Sequence, residues 1–169
     1  EKGKQMKVLV TIVAIATAAV TSTARGDWQY SRWGMDSGRL FSHAPASAAM
    51  RVPTAREAQD RAIRGMQPGL VGFHHAEGFE FIANFYFGYH NGGLSRVYLK
   101  LRDYTQSRYL LAALRSQYGE PSVVSTISPS DTIMVWRDEK GGNEIEVYDM
   151  APTSAFLINY TPLRSAKGL

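Results

Sequence analysis

The stretch FEFIANFYFGYHNGGLSRVYLKLR, Phe79 to Arg102, decides the fold. It is two runs of alternating apolar and polar residues separated by Asn91, Gly92 and Gly93, a strong short-range hairpin signal. Side chains alternate along a strand, so a slip of one residue would send an apolar set to the wrong side of the sheet. Phe79, Phe81, Ala83, Phe85, Phe87 and Tyr89 fall on one face, and Val97, Leu99 and Leu101 must join them. A two-residue Asn-Gly loop sets Phe87 opposite Arg96. A three-residue loop sets Phe87 opposite Val97 and Phe85 opposite Leu99, and is the expected one, with Gly93 in the left-handed conformation that glycine adopts without steric cost. Each buried phenyl ring then contributes roughly 1.5 to 3 kcal/mol. The odd-numbered face is core.

The other face is the candidate binding surface. The expected register lines up Tyr86 with Tyr98, Asn84 with Lys100 and Ile82 with Arg102, and Arg96 and His90 extend the set. Tyr and Arg present rigid amphipathic area and planar donors, the chemistry that protein interfaces favour. The same mixture also occurs on solvated sheet faces held by cross-strand pairs.

Downstream, Asp103 is placed to cap a helix from Tyr104 to Tyr118, with Gln106 at the capping-box position and Leu110, Leu111, Leu114 and Tyr118 at helical spacing. Gly119 and Pro121 end it. Thr132–Arg137, Glu144–Tyr148 and Phe156–Tyr160 read as strands, with a turn over Lys140–Asn143, and Val123–Ile127 and Leu70–Phe73 are weaker candidates. Upstream, Trp28, Tyr30 and Trp33 suit an extended segment, Asp36 caps a short helix through Leu40 and Phe41, and Thr54 opens a capping-box helix with Glu57 that runs through Ile63 to Gly65. The expected fold is a single α+β domain: an antiparallel sheet of about five strands, built as a β-hairpin, a helix and a β-meander, with helices packed on one face. Residues 25–69 form its N-terminal extended segment and short helices, 70–162 the sheet core, and 163–169 a tail.

Residues 1–24 stand apart. Met6 and Lys7 precede an apolar or small-residue run from Val8 to Val20, then Thr21, Ser22, Thr23 and Ala24. That is the layout of a Sec-type signal peptide starting at Met6, with Ser22 and Ala24 at the −3 and −1 positions. The run falls short of the roughly 20 residues that span a bilayer. The expectation is cleavage after Ala24 and a periplasmic or secreted protein with no stable membrane anchor; the alternative is an uncleaved N-terminal anchor. Removing Lys2, Lys4, Lys7 and Glu1 takes 19 basic and 15 acidic residues to 16 and 14, a net charge of +2, which is no nucleic-acid footprint. The absence of Cys excludes both a disulfide framework and a lipid-modified cysteine.

Chemistry has few carriers. His74, His75, Glu77 and His90 concentrate possible metal ligands, and a zinc or copper site would use imidazole and carboxylate in this way. Adjacent histidines on a strand point to opposite faces, however, and there is no HExxH spacing. There is no Gly-x-Ser-x-Gly elbow, and the glycine pairs sit in hairpin turns rather than in a phosphate cradle. Glu144, Glu146 and Asp149 read as the solvated side of a strand. No catalytic residue, resident metal or cofactor is therefore assigned. The expected function is non-catalytic binding of an envelope protein or small ligand through the outer hairpin face. A metal-dependent or unrecognised enzyme using the His74, His75, Glu77 and His90 set is the alternative.

Trp33-Gly34-Met35, Tyr89 through Val97, Tyr118-Gly119-Glu120-Pro121, Trp136 and Asn143-Glu144-Ile145 together resemble a pattern of small uncharacterised exported bacterial proteins. At the level of fold the chain is distantly similar to the beta-lactamase inhibitory protein and to small outer-membrane-assembly lipoproteins. The resemblance implies export and a helix-then-sheet fold, and it supplies no catalytic residue. Lacking Cys, this chain departs from both, so neither disulfides nor a lipid anchor is implied.

Overall fold

A computed structural model describes residues 27–64, 66–88 and 91–163. The elements are β1 (Asp27–Trp28), β2 (Ser31–Arg32), α1 (Ser37–His43), α2 (Ala55–Asp60), β3 (Pro68–Ala76), β4 (Phe79–Phe87), β5 (Leu94–Leu101), α3 (Ser107–Tyr118), β6 (Val123–Ser128), β7 (Asp131–Asp138), β8 (Asn143–Met150) and β9 (Ala155–Pro162). β3 to β9 make one antiparallel sheet in the order β3-β4-β5-β9-β8-β7-β6. The fold is α+β in a single domain. The sheet has seven strands because both weaker candidates form: β3, which extends beyond Leu70–Phe73 to Pro68–Ala76, and β6.

The odd-numbered face of the central hairpin is core. Phe81, Ala83, Phe85, Val97, Leu99 and Leu101 are buried there, joined by Trp136, Ile145, Val147, Phe156 and Ile158 from the meander. α3 covers this face with Leu110 and Leu114, and α1 adds Leu40. Trp28 meets Phe85 edge-on at 5.7 Å. Asp36 caps α1 through the Arg39 N–H, as its position implies. α3 starts later than the capping pattern suggests: Asp103 accepts from the Thr105 N–H and hydroxyl, which holds Tyr104–Gln106 as a 3-10 turn before the α-helix begins. Gly119, at φ +80, ends it, and its carbonyl accepts from the Trp136 indole at 2.8 Å.

The hairpin register differs from the expected one by two residues. Phe85 lies opposite Val97, Ala83 opposite Leu99, Tyr86 opposite Arg96, Asn84 opposite Tyr98 and Ile82 opposite Lys100. The cause is a wider loop. β4 stops at Phe87, the Gly88 N–H bonds to the Gly93 carbonyl at 2.8 Å, and the Gly92 N–H returns to the Gly88 carbonyl at 2.9 Å. Gly92, not Gly93, takes the left-handed conformation, at φ +62. A shift of two preserves the faces, so the core assignment survives while the cross-strand partners change. Gly93 is required for another reason: a Cβ there would stand 2.7 Å from both the Cα and the carbonyl oxygen of Gly34.

The second difference lies in the segment before β3. Arg51 exchanges two 2.9 Å backbone hydrogen bonds with Val71 on the sheet edge, and the chain then passes to the even-numbered face. There Thr54 and Glu57 form the expected capping box. α2 stops at Asp60 rather than continuing to Gly65, because Ile63 and Met66 close a tight turn with Arg64 at φ +50. Gly65 itself lies outside the described residues. α1 and α3 pack on the core face, whereas α2 and the turn after it lie across the opposite one.

Candidate functional site

The even-numbered face is a polar row flanked by two cavities. Following the strand register, Asn84 on β4, Tyr98 on β5, Asn159 on β9 and Glu146 on β8 lie side by side. Sequence alternation puts them there, since each sits between two core residues of its own strand. Asn84 and Asn159 are each 4% exposed and Tyr86 is 0% exposed, so the middle of this face is sheltered, while Lys100 and Glu144 on the same face are exposed.

Arg61, at the end of α2, provides the shelter. Its guanidinium donates to Asn84 Oδ1 at 2.9 Å, and its backbone carbonyl accepts from the Tyr86 hydroxyl at 2.7 Å. Arg61 is in turn held by Glu57 Oε1 at 3.4 Å, and Glu57 is gripped by both terminal nitrogens of Arg51, at 2.6 and 2.8 Å. The Arg51 guanidinium and the Thr54 N–H together hold the Glu57 carboxyl well below the usual carboxylate range. The capping box that starts α2 thus also anchors the arm that crosses the sheet.

On one side of the arm, a cavity of about 430 Å³ is lined by Arg61, Ile82, Asn84, Tyr86, Tyr98 and Lys100, with Leu157 and Met150 adding apolar surface. On the other, a cavity of about 580 Å³ is lined by Arg64, Arg96, Glu144, Glu146 and Asn159, with Met66 and Pro162 at its margin. Both volumes fall in the range of small-ligand sites. Asn159 Nδ2 donates to Glu146 at 3.1 Å, yet its Oδ1 is buried without a partner, and so is the Nε of Arg96. An unsatisfied polar atom at this depth costs about 1 to 3 kcal/mol.

Three phenols border this face, and burial is the main cause in each case that raises their pKa. Tyr86 is pushed up strongly, and Tyr98 rises to about 12 with Tyr148 beside it as a lesser cause. Tyr148 also reaches about 12, helped by the adjacent Glu146. All three stay neutral near pH 7.

Of the six residues expected to bind, Asn84, Tyr86, Tyr98 and Lys100 line the first cavity and Arg96 the second. His90 lies outside the described residues, as do the signal-peptide region and its cleavage position. Tyr86 is a correction in kind: it was expected as an exposed contact and is instead fully buried beneath the Arg61 carbonyl. Tyr86 and Tyr98 do not pair across the strands. Asn159, Glu146, Glu144, Arg61 and Arg64 were not foreseen as site residues; the signal available was the alternation of Asn159 between Ile158 and Tyr160 and of Glu146 between Ile145 and Val147.

The possible metal ligands are divided. His74 shares the core side with Phe81, stacking on it at 5.9 Å and meeting Trp28 edge-on at 4.9 Å. Burial, then the neighbouring His75, lowers its pKa. His75 turns to the opposite face, with Nδ1 3.8 Å from Glu80. His74 and Glu77 both border a cavity of about 160 Å³ beside α3, but among the described residues no three His, Cys, Asp or Glu side chains are grouped to hold a metal ion. Among the described residues no helix is long and apolar enough to cross a membrane.

Comparison of the chain with protein-family models, with curated proteins and with solved structures finds no match.

Proposed function

We propose that this is an exported, non-catalytic domain that binds a small polar ligand on the even-numbered face of its sheet. The observation that carries the reading is the cavity of about 580 Å³ on this face, lined by Arg64, Arg96, Glu144 and Glu146, which among the described residues form no ion pair with one another. Arg96 Nε and Asn159 Oδ1, buried beside it without partners, are exceptions to the rule that buried polar atoms are satisfied. A concave face partly crossed by the 54–66 arm favours a small ligand over a flat protein partner, because Tyr86 has no surface left to offer. Apart from Lys100 and the carboxylates Asp60, Glu144 and Glu146, the polar side chains lining the two cavities are phenols, amides, hydroxyls and guanidinium groups that do not change protonation near neutral pH, which favours binding over catalysis. The two cavities have no histidine lining among the described residues.

The test is ligand-detected NMR of a panel of polar metabolites against the protein and its Asn159→Leu variant. The reading expects at least one saturable ligand that the variant loses while keeping its circular dichroism spectrum. Binding that the variant retains contradicts it. Export rests on the Met6–Ala24 pattern and on the resemblance to small exported proteins, and predicts a mature chain beginning at Arg25. A mature chain retaining Met6 contradicts cleavage.

A further inference from the structure

We infer that the cavity between the arm and the β8–β9 strands takes a small zwitterion of the amino-acid type, with its carboxylate at Arg96 and Arg64 and its ammonium at Glu146 and Glu144. The inference rests on the reading above and specifies its ligand.

Two guanidinium groups and two carboxylates line this one cavity. Among the described residues none of these four side chains forms an ion pair, although Arg51, Arg61, Arg102 and Arg115 all do. The register explains the gap. Glu144 lies opposite Thr161, and continuing the Val97–Tyr160 register puts Arg96 on the other side of the same Thr161. The two charges therefore stand on strands about 10 Å apart in backbone spacing. A molecule carrying one charge of each sign fits between them, and it meets Arg96 on one side and Glu144 on the other.

The unpartnered atoms have the same polarity. Arg96 Nε is a donor without an acceptor, on the cationic side. Asn159 Oδ1 is an acceptor without a donor, beside the carboxylate of Glu146 to which its own Nδ2 is committed. A simple anion would be drawn to Arg96 and repelled by Glu144 and Glu146; a simple amine would do the reverse. Met66 and Pro162 border the same cavity and leave an apolar margin for a side chain.

The experiment is isothermal titration of the protein with each of the common L-amino acids, then with the N-acetyl and the amide derivative of the tightest binder. The inference expects saturable binding of at least one amino acid, weakened tenfold or more by either derivative. It also expects Arg96→Gln to weaken the amino acid tenfold or more while changing the amide derivative, which has no carboxylate, less than twofold. Derivatives that bind as well as the parent overturn the ligand class. If no amino acid binds but another polar metabolite does, and Asn159→Leu abolishes that binding, the class falls and the site stands. If nothing binds, both fall.

Discussion

The Tyr86 hydroxyl donates a 2.7 Å hydrogen bond to the backbone carbonyl of Arg61, joining the middle of the central hairpin to the arm that crosses its even-numbered face. Tyr86→Phe removes that donor and leaves a part-buried carbonyl unpaired. The expected cost is about 1 to 2 kcal/mol in urea denaturation. Backbone amides of residues 54–64 should exchange with solvent faster, while those of β5 and β9 stay protected. Unchanged exchange in the arm would show that Tyr86 does not hold it.

Gly93 and Gly34 are in backbone contact, with the Gly34 N–H bonded to the Leu94 carbonyl at 2.8 Å and the Leu94 N–H to the Met35 carbonyl at 2.7 Å. Gly93→Ala places a Cβ against this crossing and should destabilise the fold by about 1 to 3 kcal/mol. Gly92→Ala acts differently, since its site is sterically open and only its positive φ resists a side chain. We predict that Gly93→Ala lowers the melting temperature more than Gly92→Ala. The opposite order would contradict the close approach.

His74 gives the stability a pH dependence with a definite sign. Burial lowers its folded pKa below the ordinary 6.5, so the unfolded chain takes up its proton first as pH falls. The stabilising contribution is complete above pH 6.5 and is lost as pH drops below that value toward the depressed one. His74→Phe keeps the aromatic contacts with Trp28 and Phe81 and removes the titration. The melting temperature of the variant, relative to the unmodified protein, should therefore rise between pH 7.5 and pH 5. A constant difference would mean that His74 titrates normally.

Much of the fold is legible in sequence because it rests on local chemistry. The alternation around Phe81 and Phe85 identifies the core face, Gly119 and Pro121 mark the end of α3, and Thr54 with Glu57 marks the start of α2. The register was not legible, because Gly88 can join the loop or the strand and only the Gly88–Gly93 backbone pairing decides between them. The even-numbered face was recognised as the place for function through Asn84, Arg96, Tyr98 and Lys100. Its sheltered character was not, since it depends on the arm crossing the sheet edge at Arg51 and Val71, a contact with no local signal. Glu146 reads in sequence as a solvated strand residue, and Asn159 carries no signal of its own, for a related reason: alternating polar residues on a strand look the same whether the face is open or roofed.

The central claim is that the even-numbered face binds a small polar ligand, and amide chemical-shift mapping with the amino acid that titrates most tightly tests it most directly. The account predicts that the largest shifts fall on Arg64, Arg96, Glu146 and Asn159, with smaller ones at Tyr98. Largest shifts at Trp28, His74, Glu77 and Tyr118, around the cavity on the core side, would contradict it.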